Sequence, residues 1–359
     1  MGVKNILKKS EIKGLDFINL MLEASASSCK FDGMTVYDYG GKFKTRANIN
    51  SLLLMPFGAG KTTSLIKLGK ENTVFCNEFT APAVLGTISK DGKFVKGFVS
   101  EAGGKVLVID EIQNLGDSAR KGTLSLLEYP HEYTRSLGYK VSESKKVPFN
   151  KYSWTEVREN QITIRSQFSC IASGMYIKTT NNQIDLAWLS RFIPMKMSIT
   201  WDYIKKLTSG KKQIRLNPKP KDITFKFKDY KKFHKEYCDR VEEIPFFNYF
   251  QQYDRLGFLG RNIMDTARLS CFFASLDDRV SPKKENWRLA LKFVPLALYN
   301  YMTIWLTDTD YTIVQYYGKK SQKELAEESG TTESNISQRI VELKKRGLLP
   351  SGELSAYSG

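Results

Sequence analysis

Residues 51–68 read SLLLMPFGAGKTTSLIKL, and the fold turns on how that stretch is parsed. A run of aliphatic side chains at residues 49–55 has the length and composition of a buried strand. It gives way to Gly58-Ala59-Gly60-Lys61-Thr62-Thr63 and then to a helical pattern over about 62–68. Glycines let a backbone wrap an anion, and the amino end of the following helix aims unpaired N–H groups at it. Lys61 is placed to reach the outer phosphates of a nucleotide, and the Thr62 hydroxyl to ligate Mg²⁺. The motif lacks its usual first glycine, whose position is taken by Met55. A working loop with altered entry geometry is expected.

About fifty residues further on, Val106-Leu107-Val108-Ile109-Asp110-Glu111 is an aliphatic strand ending in two carboxylates. Adjacent acids at the end of a buried strand are costly without a cation or a proton to transfer. Asp110 is therefore expected to hold Mg²⁺ through its water shell and Glu111 to polarise the attacking water. Further strands are expected at residues 35–39, 72–76, 105–109, 168–172 and 192–199. Helices at about 117–129 and 183–190 alternate with them, the pattern of a parallel α/β sheet. Residues 5–24 read as an amphipathic helix, and residues 229–306 as helical.

With these residues in place the chain resembles the AAA+ ATPases, and more closely the minichromosome maintenance (MCM) helicase branch. Residues 80–88 and 95–104, which lead into VLVIDE, are similar to that branch's helix-2 insert. The segments around 133–140 and 162–165 resemble the arms of its hairpin before sensor 1, which in the family enters a central channel and touches DNA. Lys145, Lys146 and Lys151 lie near the tip on this reading. Trp188-Leu189-Ser190-Arg191-Phe192 matches the signature bearing the arginine finger, so the resemblance implies that Arg191 contacts a neighbouring subunit's ATP. Residues 260–269 and 279–294 resemble the helical lid, with Arg261 as sensor 2 and Arg268 in reserve. Sensor 1 is usually Asn; Ser173 stands in the matching stretch. The N-terminal oligonucleotide-binding collar of replicative MCM proteins is missing, and so is the GAFTGA loop of the enhancer-binding activators. The layout resembles a compact mobile-element or viral version.

Composition agrees with a polyanion-binding protein. The 359 residues, enough for two or three domains, carry a formal charge of +17 with a pI near 9.4, and 41% are hydrophobic, ample for a core. Residues 205–235 hold twelve Lys or Arg against two Asp, most of the excess. Such a stretch is either a phosphate-facing surface or a solvated insertion loop. Five scattered cysteines and two histidines exclude a zinc-finger or disulfide framework. The longest apolar run, residues 293–306, is too short for a membrane span and contains Pro295. The opening MGVKNILKKSEIKG has no signal-peptide core, and Ile6 argues against myristoylation. An intracellular, cytoplasmic, DNA-associated protein is expected.

Near the C-terminus, Ser321 to Glu324 forms a capping box, Gly330 a turn, and Ile336, Ile340 and Leu343 one face of a second helix. This resembles a winged helix-turn-helix. Asn335, Gln338 and Arg339 are its candidate base readers, with Ser334 and Ser337 beside them, and Lys344 and Lys345 its phosphate clamp. The expected organisation is a helical extension (1–45), a P-loop AAA+ parallel-sheet core with hairpin and basic insertion (46–228), a helical lid (229–306) and a winged helix (307–359). The function these features imply is an ATP- and Mg²⁺-dependent motor on single-stranded or duplex DNA, a replication helicase or initiator. It would work as a homo-oligomer, a hexameric ring, with ATP hydrolysed at subunit interfaces. The alternative is a DNA-binding regulator of transcription or replication that uses ATP only as an assembly switch.

Overall fold

The computed structural model describes residues 15–55, 61–89, 93–137, 144–174, 190–196, 216–244, 258–303, 307–345 and 349. Its first helix, α1 (Leu15–Ser28), leads into the hairpin β1 (Phe31–Asp38) and β2 (Gly41–Thr45). The strand expected from the aliphatic run is β3 (Ser51–Leu54), followed by α2 (Lys61–Ile66) and β4 (Thr73–Cys76). Two one-turn helices, α3 (Ala81–Leu85) and α4 (Phe98–Glu101), then flank a short ladder of β5 (Thr87–Ile88) and β6 (Phe94–Val95). After β7 (Val106–Ile109) and α5 (Asp117–Leu126), β8 (Glu132–Ser136), β9 (Lys145–Asn150), β10 (Ser153–Arg158) and β11 (Gln161–Ser166) precede β12 (Ser169–Gly174) and β13 (Ile193–Lys196).

Five of these strands form one all-parallel sheet in the order β13-β3-β12-β7-β4. Alternation along each strand divides its side chains between two cores. Leu53, Val106, Val108, Ile171, Ile193 and Met195 face α1 and the later helices, whereas Leu52, Leu54, Leu107, Ile109, Cys170 and Ala172 face α3, α4 and α5. The N-terminal helix is thus a layer of this core, with Leu20, Met21, Leu22, Ala24 and Ala26 fully buried.

The arms expected around 133–140 and 162–165 do pair, with Thr134 opposite Thr163. The chain between them adds its own hairpin, giving the antiparallel order β8-β11-β10-β9. A third sheet, β14-β1-β2, comes from an unexpected place. Its strand β14 (Ile223–Phe227) lies inside the basic stretch and pairs in parallel with β1. Alternate burial of Phe225 and Phe227 against exposed Thr224 and Lys226 shows why: the lysines interrupt a half-buried strand rather than a loop. Residues 216–235 are therefore folded, with α6 (Tyr230–Glu242) following directly.

The expected helical region contains α6, α7 (Phe258–Leu276), α8 (Lys284–Leu291) and α9 (Val294–Thr303). Trp287, Phe233 and Ala274 from three of them close over β1 and β14. The last helices, α10 (Asp308–Tyr316), α11 (Gln322–Ser329) and α12 (Glu333–Lys345), enclose a separate cluster of Ile313, Leu325, Ile336, Ile340 and Leu343. The capping box is present, Ser321 accepting from Glu324 N–H and the Glu324 carboxylate accepting from Ser321 N–H. Gly330 takes the left-handed conformation that ends α11. The wing expected after residue 349 and the helix expected at 183–190 lie outside the described residues. Among the described residues no helix is long and apolar enough to cross a membrane.

His131, between α5 and β8, is buried, and its Nδ1 lies 2.9 Å from the Leu126 carbonyl. Burial holds its imidazole down at about 4. The folded state therefore keeps His131 neutral where the unfolded chain protonates it, and stability falls as pH drops from about 6.5 towards 4. The loss approaches about 3 kcal/mol at the lower end. His131→Asn keeps a donor and tolerates the positive φ of 67°. Denaturant unfolding across this range should give a flatter stability curve for the variant than for the wild type.

Candidate active site

Side chains that the sequence places more than a hundred residues apart meet at the carboxyl edge of the central sheet. Lys61 opens α2, Asp110 and Glu111 follow β7, and Ser173 lies near the end of β12, the strand between β3 and β7. Lys61 is buried, and its Nζ sits 2.9 Å from Glu111 Oε1. The Ser173 hydroxyl donates to Asp110 Oδ1, which also accepts the Glu111 N–H at 3.1 Å. Gln113 donates its side-chain amide to the second oxygen of Glu111.

The chain turns sharply to achieve this. Glu111 has φ 57° and ψ 59°, a left-handed conformation that costs a residue with a Cβ about 1–2 kcal/mol. Strain of this kind persists where the surroundings enforce it. Here it swings the Glu111 side chain off the line of β7 and towards Lys61. Asp110 and Glu111 are both half-buried, so their carboxylate oxygens keep access to solvent. Thr62 is exposed beside Lys61. The glycine stretch Gly58-Ala59-Gly60 lies outside the described residues, as does the Thr63 side chain.

Arg191, expected to serve a neighbouring subunit's nucleotide, and the sensor 2 candidate Arg261 lie at the other edge. Arg191 precedes β13 and so lies at the amino edge of the sheet, where its carbonyl accepts from Arg46 at 2.8 Å. A four-residue strand separates that edge from Lys61 by about 13 Å. Arg261, from the first turns of α7, sits at the amino edge too. Arg191 Nε is 2.9 Å and Arg261 Nη1 3.5 Å from the same oxygen of Glu128. Arg46 reaches the other Glu128 oxygen at 3.9 Å. Deeper in, Arg268 contacts Asp265 at 2.5 Å, and the Tyr301 hydroxyl lies 2.8 Å from the second Asp265 oxygen.

Four arginines thus share two carboxylates. Burial, followed by the repulsion of Arg268, lowers Arg46 to about 9, while Glu128 and Asp265 oppose the shift. Burial pushes the Glu128 carboxyl up, but Arg46, Arg268, Arg191 and Arg261 together outweigh it and hold it below the ordinary range. Sequence reasoning missed Arg46, Glu128 and Asp265 as partners, although Asp265 lies in the stretch that resembles the lid, because their meeting depends on three separate parts of the chain.

The lysines expected at one hairpin tip are divided between two ends of the antiparallel sheet. Lys145 and Lys146 lie on the edge strand β9, with Lys146 Nζ 4.0 Å from the Trp154 ring centroid. Lys151 is in the β9–β10 turn at the opposite end, 3.0 Å from Asp222. Tyr152 beside it packs on Gly104, whose positive φ of 75° and missing Cβ make room for the ring. That end is anchored to the core rather than projecting from it.

On α12, Asn335, Gln338 and Lys345 are exposed as expected. Arg339 is instead turned towards α10, 3.5 Å from buried Asp310, so it holds the bundle together. Lys344 lies 5.7 Å over the Tyr317 ring. Among the described residues no group of three His, Cys, Asp or Glu side chains has metal-site geometry. No protein-family model matches the chain, and no curated protein matches it.

Glu128→Gln should be severe, because it leaves the buried guanidinium of Arg46 with one carboxylate fewer. We expect a loss of about 3 kcal/mol in thermal or denaturant unfolding at neutral pH. Because its folded-state value is depressed, the contribution of Glu128 is complete above about pH 4.5 and is lost as pH falls below it. The gap between wild type and variant should therefore narrow on acidification.

Proposed function

We propose that the chain is an oligomeric AAA+ ATPase acting on DNA, a replication helicase or initiator motor of the MCM type. The observation that carries this reading is the convergence of Lys61, Asp110, Glu111 and Ser173 at the carboxyl edge of one parallel sheet, where open α/β sheets bind their ligands. An ammonium for phosphate, two carboxylates and a polar hydroxyl are the groups that phosphoryl transfer to water requires.

On this reading the Lys61–Glu111 pair is the resting state of the site. Triphosphate draws Lys61 away from Glu111, since several phosphate oxygens outcompete one carboxylate for the ammonium. Glu111, released, accepts the proton of the attacking water, and Gln113 restrains its other oxygen. The Ser173 hydroxyl, now on Asp110, is within one side chain of the phosphate path. Thr62 would offer its hydroxyl to Mg²⁺ and Asp110 would hold the ion through its water shell, hard oxygen donors of the kind Mg²⁺ takes. Bound there, the ion would offset phosphate charge.

Arg191 and Arg261 are a strand's length from their own Lys61 and share Glu128, which suits a pair of cations completing the site of an adjacent subunit. Lys145 and Lys146 on the edge strand, and Asn335, Gln338 and Lys345 on α12, are the surfaces offered to DNA in this scheme.

ATP turnover with and without single-stranded and duplex DNA tests the proposal. Lys61→Ala should abolish it, and Arg191→Ala should lower it by about 10³-fold or more. Mixing the two variants should restore part of the activity, because each supplies the half-site the other lacks. Normal hydrolysis by Arg191→Ala would reject the intersubunit site. Glu111→Gln should stall a motor on DNA, whereas a regulator using ATP as an assembly switch would keep its DNA-dependent output.

A further inference from the structure

The β1–β2 hairpin and the start of α6 enclose a groove of about 600 Å³ lined by Tyr37, Lys42, Lys228, Lys231 and Lys232 with two aspartates, Asp38 and Asp229. Both acids are engaged within the fold. Asp38 accepts the Tyr39 N–H at 2.7 Å, and Asp229 lies 3.4 Å from Lys232. Lys42, Lys228 and Lys231 make no ion pair among the described residues. The sheet register extends the charge beyond the groove: Lys226 and Lys44 flank Thr35 on one face, and Lys42 lies beside Tyr37 on the same face. Lys44 is partly neutralised by Asp32 at 3.6 Å.

Aromatic rings are set among these cations. Tyr39, at the turn, is 73% exposed, although a large ring is normally covered. Lys231 Nζ stands 4.7 Å from its centroid, so the ring is oriented by a cation while remaining open to a ligand. Tyr37, on the lysine face of β1, lines the groove itself. Lysines that follow a backbone, interleaved with rings that accept a base, are the chemistry of single-stranded nucleic-acid binding. A duplex hides its base faces in its own stack and could use the lysines only. A lipid surface fits less well, because the site is concave and both of its rings, Tyr37 and Tyr39, carry hydroxyls.

We propose that this groove binds single-stranded nucleic acid, with phosphates on Lys42, Lys228 and Lys231 and a base stacked on Tyr39. The site requires neither nucleotide hydrolysis nor oligomerisation, and so stands apart from the function proposed above. It also selects between the two readings of the basic stretch: its folded half is a phosphate-facing surface.

The test is binding of a labelled oligothymidylate to the full-length protein without nucleotide, over a range of salt. Tyr39→Ala should weaken binding by about five- to a hundredfold, and Tyr39→Phe should retain it. The combined Lys42→Ala, Lys228→Ala, Lys231→Ala variant should lower the salt slope by about 2, at roughly 0.7 per lost phosphate contact. These side chains are exposed, so melting temperatures should match the wild type. An oligothymidylate carrying iododeoxyuridine should photocrosslink to Tyr37 or Tyr39. Unchanged affinity and slope in both Ala variants, with crosslinks confined to β9 or α12, would overturn the proposal. So would capture by phosphatidylserine vesicles with no oligonucleotide binding.

Discussion

The central parallel sheet is buried on both faces, and that constraint governs where the chemistry can be. Its strands β3, β7 and β12 carry no exposed residue, so neither face has room for an unpaired charge. Ionisable groups are consequently confined to the ends of the strands. Lys61, Asp110 and Glu111 collect at the carboxyl edge, and Arg46 and Arg191 at the amino edge, joined by Arg261 and Arg268 from α7. Because the strands are parallel, groups at either edge are brought side by side from distant parts of the sequence.

The two edges solve opposite electrostatic problems. At the carboxyl edge one ammonium faces two acids, with the Ser173 hydroxyl donating to one Asp110 oxygen and the Gln113 amide to the second Glu111 oxygen. On the proposed function, an anion competing for Lys61 reopens this balance. At the amino edge positive charge exceeds negative, and Arg46 is fully buried, with Nε and Nη1 making no hydrogen bond among the described residues. Breaking a pair there exposes a buried cation to a low-dielectric interior, which costs more than making the pair contributes. Glu128 is the hinge of that arrangement, since three arginines from three elements converge on it.

Around this core the chain adds a four-stranded and a three-stranded sheet, and both put lysines on an edge or an outer face. In β14 alternation confines Lys226 to the outer face, while Phe225 and Phe227 enter the core with Trp287. In β9 the lysines occupy an edge strand, where charge also blocks unwanted strand pairing. The same residues that keep these edges soluble create the cationic surfaces.

Much of the central sheet was legible in the amino-acid sequence by itself. Continuous aliphatic runs at Ser51–Leu54 and Val106–Ile109 identify strands buried on both faces, because no other short element buries every residue. The acids after Ile109 followed from local chemistry, as did the capping box at Ser321. Tertiary structure alone decided the rest. The pairing of β14 with β1 joins residues about 190 apart, and its alternation was masked by lysines that periodicity reads as a solvated loop. That Arg191 and Arg261 share Glu128, that Arg339 is spent on Asp310, and that Lys151 lies at the far end of its sheet from Lys145 depend on how elements pack. Local sequence records how each segment folds, but an ion pair between segments is set by the geometry that brings them together.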